Sequence, residues 1–222
     1  MIVAIDGPAG SGKSTVAKAL AKRLGWRYLD TGAMYRSVAV KAVDAAADLA
    51  DDVALGALAR SCVIGFGHEP GEPVPTRVYL DGSDVTSRIR TPEIDRAVTP
   101  VSAAPSVREA MVALQRELGA ESDSVVEGRD IGTVVFPRAE VKVYLTAAPE
   151  VRAHRRAIDH KIAGHAMGEA EVLADIDRRD RADSTRAASP LATADDAHVL
   201  DTTALTVEQV VDRIAALVEG AR

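Results

Sequence analysis

The chain of 222 residues has one cysteine, Cys62, and only 3% of its residues are aromatic. A lone thiol excludes an internal disulfide and any site built from several cysteines, so a reducing compartment, the cytoplasm, is the expected setting. With few rings available, Ala, Val and Leu supply most of the apolar side chains. A core of small side chains needs close contact between helices and sheet, which suits a layered α/β architecture. Long apolar runs are missing as well. None approaches the roughly 20 residues of a spanning helix. The opening MIVAIDGPAG enters a strand-like run without the basic and apolar regions of a signal peptide. No membrane partner is expected. Basic charge is in deficit, with 27 Lys and Arg against 33 Asp and Glu for a net charge of −6, which argues against general nucleic-acid binding. The five histidines share no metal-ligand spacing, and His160 and His165, five apart, fall off one helical face. Cys62, beside Val63 and Ile64, is expected to be a buried small hydrophobe.

What remains is a foldable chain, 47% apolar with a mean hydropathy of zero, long enough for one core with insertions. Residues 2 to 5 read IVAI, a short strand of the kind covered on both faces. A glycine-rich turn follows, then Val16, Leu20 and Leu24 recur every four residues until Gly25 ends the helix. WRYL at 26 to 29 predicts a second strand, after which Asp30 and Thr31 can cap a helix through Met34 and Val38. Residues 40 to 100 read as an insertion, Gly- and Pro-rich at first and then a hairpin around Asp81 and Gly82. Helical periodicity resumes at Pro105, with Val107, Met111, Leu114 and Leu118 on one face and Gly119 as the expected stop. SVVEG (124 to 128), VKVYL (141 to 145) and AHVLD (197 to 201) predict strands. Residues 150 to 186 are charged and helical with a break at Gly164 to Gly168. A final helix uses Val207, Val210, Val211, Ile214, Leu217 and Val218.

One motif carries chemistry of its own. Residues 7 to 14, GPAGSGKS, satisfy Gly-x-x-x-x-Gly-Lys-Ser between a strand and a helix. In that context Gly7, Pro8, Ala9, Gly10, Ser11, Gly12, Lys13, Ser14 and Thr15 form the expected nucleotide-binding loop. Backbone N–H groups and a helix N-terminus face the phosphates, Lys13 spans the β and γ groups, and the Ser14 hydroxyl serves magnesium. Nucleotide binding alone does not choose a reaction. No Asn/Thr-Lys-x-Asp element for reading guanine surrounds any of the six lysines, which disfavours a GTPase. An ATP-driven motor needs a separate acidic strand end and more chain for partners. Here arginine, 21 residues against six lysines, is the cation in surplus, and it suits bidentate grip on phosphate. DTGAMYR (30 to 36) and EGRDIGT (127 to 133) each follow a strand, where α/β sheets bind ligands. Arg36 and Arg129 are therefore candidates for an acceptor phosphate and Asp30 for orienting magnesium-bound water. Seven arginines between 152 and 186 fit a lid that excludes water during phosphoryl transfer, although carboxylates in the same stretch can pair with many of them.

GPAGSGKS, DTGAMYR, VYLDGSDVTSRIRTPEI, VREAM, EGRDIGTVVFP, RAHRR and RRDRADSTRAASPL together resemble the bacterial cytidylate kinases over nearly the whole chain. The resemblance implies a three-layer P-loop α/β fold with a central parallel sheet, a monophosphate-binding insert with a small antiparallel sheet, and a helical lid. As one domain it would comprise a core of 1–39, 101–151 and 187–222, the insert 40–100 and the lid 152–186. It implies transfer of the γ-phosphoryl group of ATP with Mg2+ to CMP or dCMP in a monomer. Thr99, Arg108 and Asp130 match positions that contact cytosine; Arg36, Arg129 and Arg186 match the acceptor phosphate; Arg179 and Asp183 lie near the sugar and Tyr35 beside them. Arg152, Arg155 and Arg156 match the lid, with Arg152 and Arg156 ranked first for the phosphates. A lid lysine carried by some relatives has no counterpart at Ala163, although Lys161 is two residues away. UMP or AMP as acceptor, or a nucleotide-dependent switch that phosphorylates no metabolite, are the competing readings.

Overall fold

The computed structural model describes residues 1–162 and 168–222. In chain order its elements are β1 (Ile2–Asp6), α1 (Lys13–Leu24), β2 (Arg27–Asp30), α2 (Thr31–Asp44), α3 (Asp52–Arg60), β3 (Ile64–Gly67), β4 (Arg77–Leu80), β5 (Ser83–Asp84), α4 (Pro92–Ala103), α5 (Pro105–Ala120), β6 (Ser124–Glu127), β7 (Val141–Thr146), α6 (Pro149–Ile162), α7 (Glu169–Thr185), β8 (His198–Asp201) and α8 (Val207–Gly220). They divide into two compact units, one formed by 1–20 with 125–222 and the other by 21–124. The second unit starts before and ends after the segment expected to be inserted, and residue 40 lies inside α2.

In the first unit, strands neighbour one another in the order β6-β1-β7-β8. Both β1 with β7 and β7 with β8 run parallel, Val3 opposite Val141 and Val143 opposite His198. Parallel strands covered on both faces should be apolar throughout, and Val3, Ala4, Ile5, Val125, Val126 and Val143 are all buried. The closing helix α8 packs on β7 and buries Val210, Val211, Ile214, Ala215 and Val218. Its start is a reciprocal box, Thr206 Oγ1 accepting from Gln209 N–H while Gln209 Oε1 accepts from Thr206 N–H. The expected break at Gly164, the missing lysine at Ala163 and His165 lie outside the described residues.

The second unit packs α2, α3, α4 and α5 on one another and carries the antiparallel sheet β3-β4-β5. The hairpin falls where the sequence put it. Leu80 faces Ser83, and Asp81 and Gly82 both have positive φ, the condition for a two-residue turn that matches strand twist. Gly25 also acts as the expected helix stop, with φ +67 and Trp26 N–H donating back to Ala21 O. Two expectations need correction. The buried stripe of α5 is Val107, Arg108, Met111, Gln115 and Gly119, so Leu114 and Leu118 are only half-buried and the helix runs past Gly119. A stripe 3.6 residues apart passes through two polar side chains that an apolar count skips. Cys62 is half-buried rather than buried, next to a largely exposed Val63; burial still pushes its thiol up to about 11.

Candidate functional site

Four strand ends of the first unit deliver the chemistry. Asp6 ends β1, Glu127 ends β6 and Thr146 ends β7, while Thr202 follows β8; such carboxyl ends are where open α/β sheets bind ligands. Between β1 and α1 the loop turns through Gly7, Gly10 and Gly12, at φ +148, +74 and +89. The first two have a second reason to be glycine: a Cβ on Gly7 would stand 2.1 Å from the Leu145 carbonyl oxygen, and one on Gly10 2.8 Å from that of Arg152. Lys13 is 6% exposed and donates from Nζ to Pro8 O at 2.7 Å. Burial and the positive charge of Arg129 hold its ammonium well below the usual lysine range, with Glu127 opposing them. Ser14 Oγ donates to Glu127 Oε2 at 2.9 Å. A hydroxyl and a carboxylate at this distance form a hard-oxygen pair that fits a small divalent cation. Glu127 is thus the acidic strand end that the sequence reading associated with motors; the signal was present in SVVEG, one residue past the apolar run.

Beyond Glu127 the chain makes a π-helical turn, Ile131–Val135. Asp6, 5% exposed, clasps it by accepting from Ile131 N–H at 2.8 Å and Gly132 N–H at 2.7 Å. Burial pushes the Asp6 carboxyl up to about 6 against those two donors, and the nearby Asp130 charge adds to the rise. Arg129 and Asp130 immediately precede that turn, Asp130 as its N-terminal cap position. Arg129 Nε donates to Asp183 Oδ2 at 3.0 Å, while Arg186 stands 3.6 Å from both Asp130 Oδ1 and Asp183 Oδ1. Burial of Asp183 favours its neutral form, but Arg129, Arg179 and Arg186 outweigh that and hold its carboxyl below the usual range. Burial opposes the charge of Arg129 in the same way, and Asp183 more than compensates, so its pKa is raised. Asp183, expected near a sugar, is the hub that collects the arginines expected to bind phosphate. Arg129, Asp130, Arg179, Asp183 and Arg186 are therefore brought together in this unit.

Helices α6 and α7 reach the loop from another side. Arg152, 7% exposed, donates from Nη1 to Ala9 O at 3.1 Å and pairs with Asp180. Arg155, ranked below Arg156 from the sequence, donates to Thr202 Oγ1 and O at 2.9 and 2.8 Å. Thr202 Oγ1 lies 3.2 Å from Ser11 O, to which it donates. Arg156 is half-buried on the same helix. Spacing alone could not rank these three, because adjacent helical positions point 100° apart and only the packing says which face meets the loop.

The second unit holds the remaining candidates. Asp30 caps α2, accepting from Ala33 N–H at 2.9 Å, with Arg90 3.9 Å away. Arg36 donates to Ile89 O at 2.9 Å and pairs with Asp95. Tyr35 is buried, and the Arg108 guanidinium sits 5.3 Å from its ring centroid, within cation–π range. Arg108 Nη1 also donates to Ser102 O at 3.1 Å. Thr99 is half-buried on α4, its carbonyl accepting from Ser102 Oγ at 3.2 Å. Three packed helices thus support Tyr35 and Arg36, Thr99, and Arg108.

A phosphate-cradling loop, a buried lysine and a hydroxyl–carboxylate pair on a parallel sheet define a P-loop α/β protein. Comparison with known proteins narrows the class. The cytidylate kinase family model matches residues 3–220. A cytidylate kinase from Pelotomaculum thermopropionicum is 48% identical over 220 residues, 99% of this chain and 96% of that one, and one from Corynebacterium glutamicum is 50% identical over 221 residues, 99% and 95%. The fold is also that of an uncharacterized protein from Eubacterium ventriosum, with a TM-score of 0.55 and 12% identity over 99% of this chain and 98% of that one. The chain belongs to the cytidylate kinase family.

Proposed function

We propose that the protein transfers the γ-phosphoryl group of ATP in line to the 5′-phosphate of CMP or dCMP, giving ADP and CDP or dCDP. Membership of the cytidylate kinase family supports the acceptor. The observation that carries the chemistry is the cationic cluster beside the loop: buried Lys13 within reach of the charges of half-buried Arg129 and Arg179, with Arg152 on the loop backbone. Such a cluster stabilises negative charge spread over a transferring phosphoryl group, and a single transition-state arginine can contribute roughly 10³ or more in rate. No protein base is required, because a phosphate monoester, with its second pKa about 6, is largely ionised near neutrality. Mg2+ would be held by the Ser14 hydroxyl and the Glu127 carboxylate and would neutralise charge between the β and γ phosphates.

On the acceptor side Arg36, Arg129 and Arg186 are assigned to the phosphate, Arg179 and Asp183 to the sugar, and Thr99, Arg108 and Asp130 to the base. Cytosine offers an amino donor at N4 beside acceptors at N3 and O2, so a carboxylate and an arginine complement its edge. Uracil presents O4 instead of the amine and would leave buried acceptors facing each other, at about 1 to 3 kcal/mol each. No helix among the described residues is long and apolar enough to cross a membrane, and we propose that the enzyme works in the cytoplasm as a monomer without a nucleic-acid partner. An ADP-release assay across CMP, dCMP, UMP and AMP tests the reading. CMP and dCMP should dominate; Arg36→Ala should lower kcat/KM by about 10² or more, and Asp130→Asn should erode the preference over UMP. Equal rates with UMP or AMP would move the enzyme to another acceptor, and slow hydrolysis indifferent to every monophosphate would make it a switch.

A further inference from the structure

The contact between α6, α7 and the nucleotide loop has a member to which no role has been assigned. Asp180, on α7, accepts from Ala9 N–H at 3.1 Å through Oδ1 and pairs with Arg152 of α6 through Oδ2. Arg152 Nη1 in turn donates to Ala9 O at 3.1 Å. Both polar groups of one loop residue are therefore bracketed by an ion pair that joins two helices. The bracket sits on an apolar patch in which Ala9 packs with Ala153 of α6 and with Val172 and Ile176 of α7. The fit is close: a Cβ on Gly10 would meet the Arg152 backbone oxygen at 2.8 Å.

Charge and reach assign the two partners different tasks. The Arg152 side chain is buried, and its Nε has no hydrogen-bond partner among the described residues, so the fork keeps donor capacity beyond its contacts with Ala9 and Asp180. Asp180, an acceptor only, already has one partner on each oxygen, Ala9 N–H on Oδ1 and Arg152 on Oδ2. An arginine side chain has many rotamers, and ordering one costs conformational entropy. An ion pair made in advance lowers that cost at the moment of reaction.

The geometry assigns Asp180 as a positioning residue for phosphoryl transfer: it aims Arg152 at the nucleotide loop and holds the Ala9 peptide groups in register with helices α6 and α7. This rests on the kinase reading for its catalytic consequence, though not for the contact itself. In this role Asp180 acts through Arg152 and Ala9.

Two measurements on the full chain test it. Steady-state kinetics should show Asp180→Asn, close in shape but uncharged, lowering kcat about tenfold, the equivalent of one charge-assisted hydrogen bond, with KM for CMP within about twofold. Asp180→Glu should recover part of the loss. Asp180→Ala added to Arg152→Ala should cost nothing further, because the two act as one unit. Hydrogen exchange over residues 7–12 should be about fivefold faster in Asp180→Asn than in the parent chain. Losses that multiply in the double variant, a kcat unchanged by Asp180→Asn, or unaltered exchange over the loop would each overturn the assignment. Should the parent chain phosphorylate neither CMP nor dCMP, the functional reading falls, while the exchange measurement still decides the Asp180 contact.

Discussion

Replacing Asp6 with asparagine isolates a strongly perturbed carboxyl of the first unit. Asp6 is 5% exposed, and burial raises its pKa from 3.8 to about 6. An acid whose folded-state pKa lies above its unfolded value contributes stability that is complete below pH 3.8 and is lost as pH rises through 6. The full span, about two pKa units, corresponds to roughly 3 kcal/mol. Between pH 7 and pH 5 only part of it returns, about 1 kcal/mol in favour of the parent chain. Asparagine does not titrate, so urea unfolding of the two proteins side by side should show their stability difference moving toward the parent by that amount on acidification. Groups common to both largely cancel. At pH 7 the variant escapes the cost of a buried charge, yet its amide offers only one acceptor to the Ile131 and Gly132 N–H groups, and a buried donor left over costs about 1–3 kcal/mol. A stability difference that stays flat from pH 7 to pH 5 would refute the reasoning, because the buried carboxylate would then carry no penalty.

Two other substitutions probe the same framework. Asp183→Asn removes the counter-charge of Arg129 and Arg186 and should cost about 3 kcal/mol in urea unfolding at pH 7; since the Asp183 carboxyl is held low, its contribution is present above pH 3.8 and fades as pH falls through the depressed value, so a loss under about 0.5 kcal/mol at pH 7 would mean the arginines have other sufficient partners. Gly7→Ala places a methyl group 2.1 Å from a backbone oxygen at φ +148, so soluble yield should collapse or melting fall by about 10 °C or more, and a normal melting curve would contradict the close approach of loop and strand β7.

Much of the architecture could be read from local pattern because the cause was local. A five-residue apolar strand, a glycine loop and a helix with one buried face are set by side-chain period and by backbone freedom, which act within a few residues. The hairpin at Asp81 and Gly82 was legible for the same reason: only certain residues tolerate two positive φ angles in succession. Helix α4 was missed although Ile94, Ala97, Val98 and Val101 repeat at helical spacing and are buried. The segment expected to be an insertion ends at residue 100, and two prolines, Pro92 and Pro100, stand in the same stretch. Pro92 is in fact the first helical residue, where its missing N–H costs nothing, and Pro100 is accommodated inside the helix.

The nucleotide loop and the family motifs were properties of the sequence alone, since contiguous residues carry them. The meaning of the charged residues was a property of tertiary structure. Asp6 and Gly132 are 126 positions apart, Ser14 and Glu127 113, Ala9 and Asp180 171. Whether an aspartate clasps a turn, anchors an arginine or faces water depends on which strand ends and helix faces share a layer, and that is decided when the core closes around them.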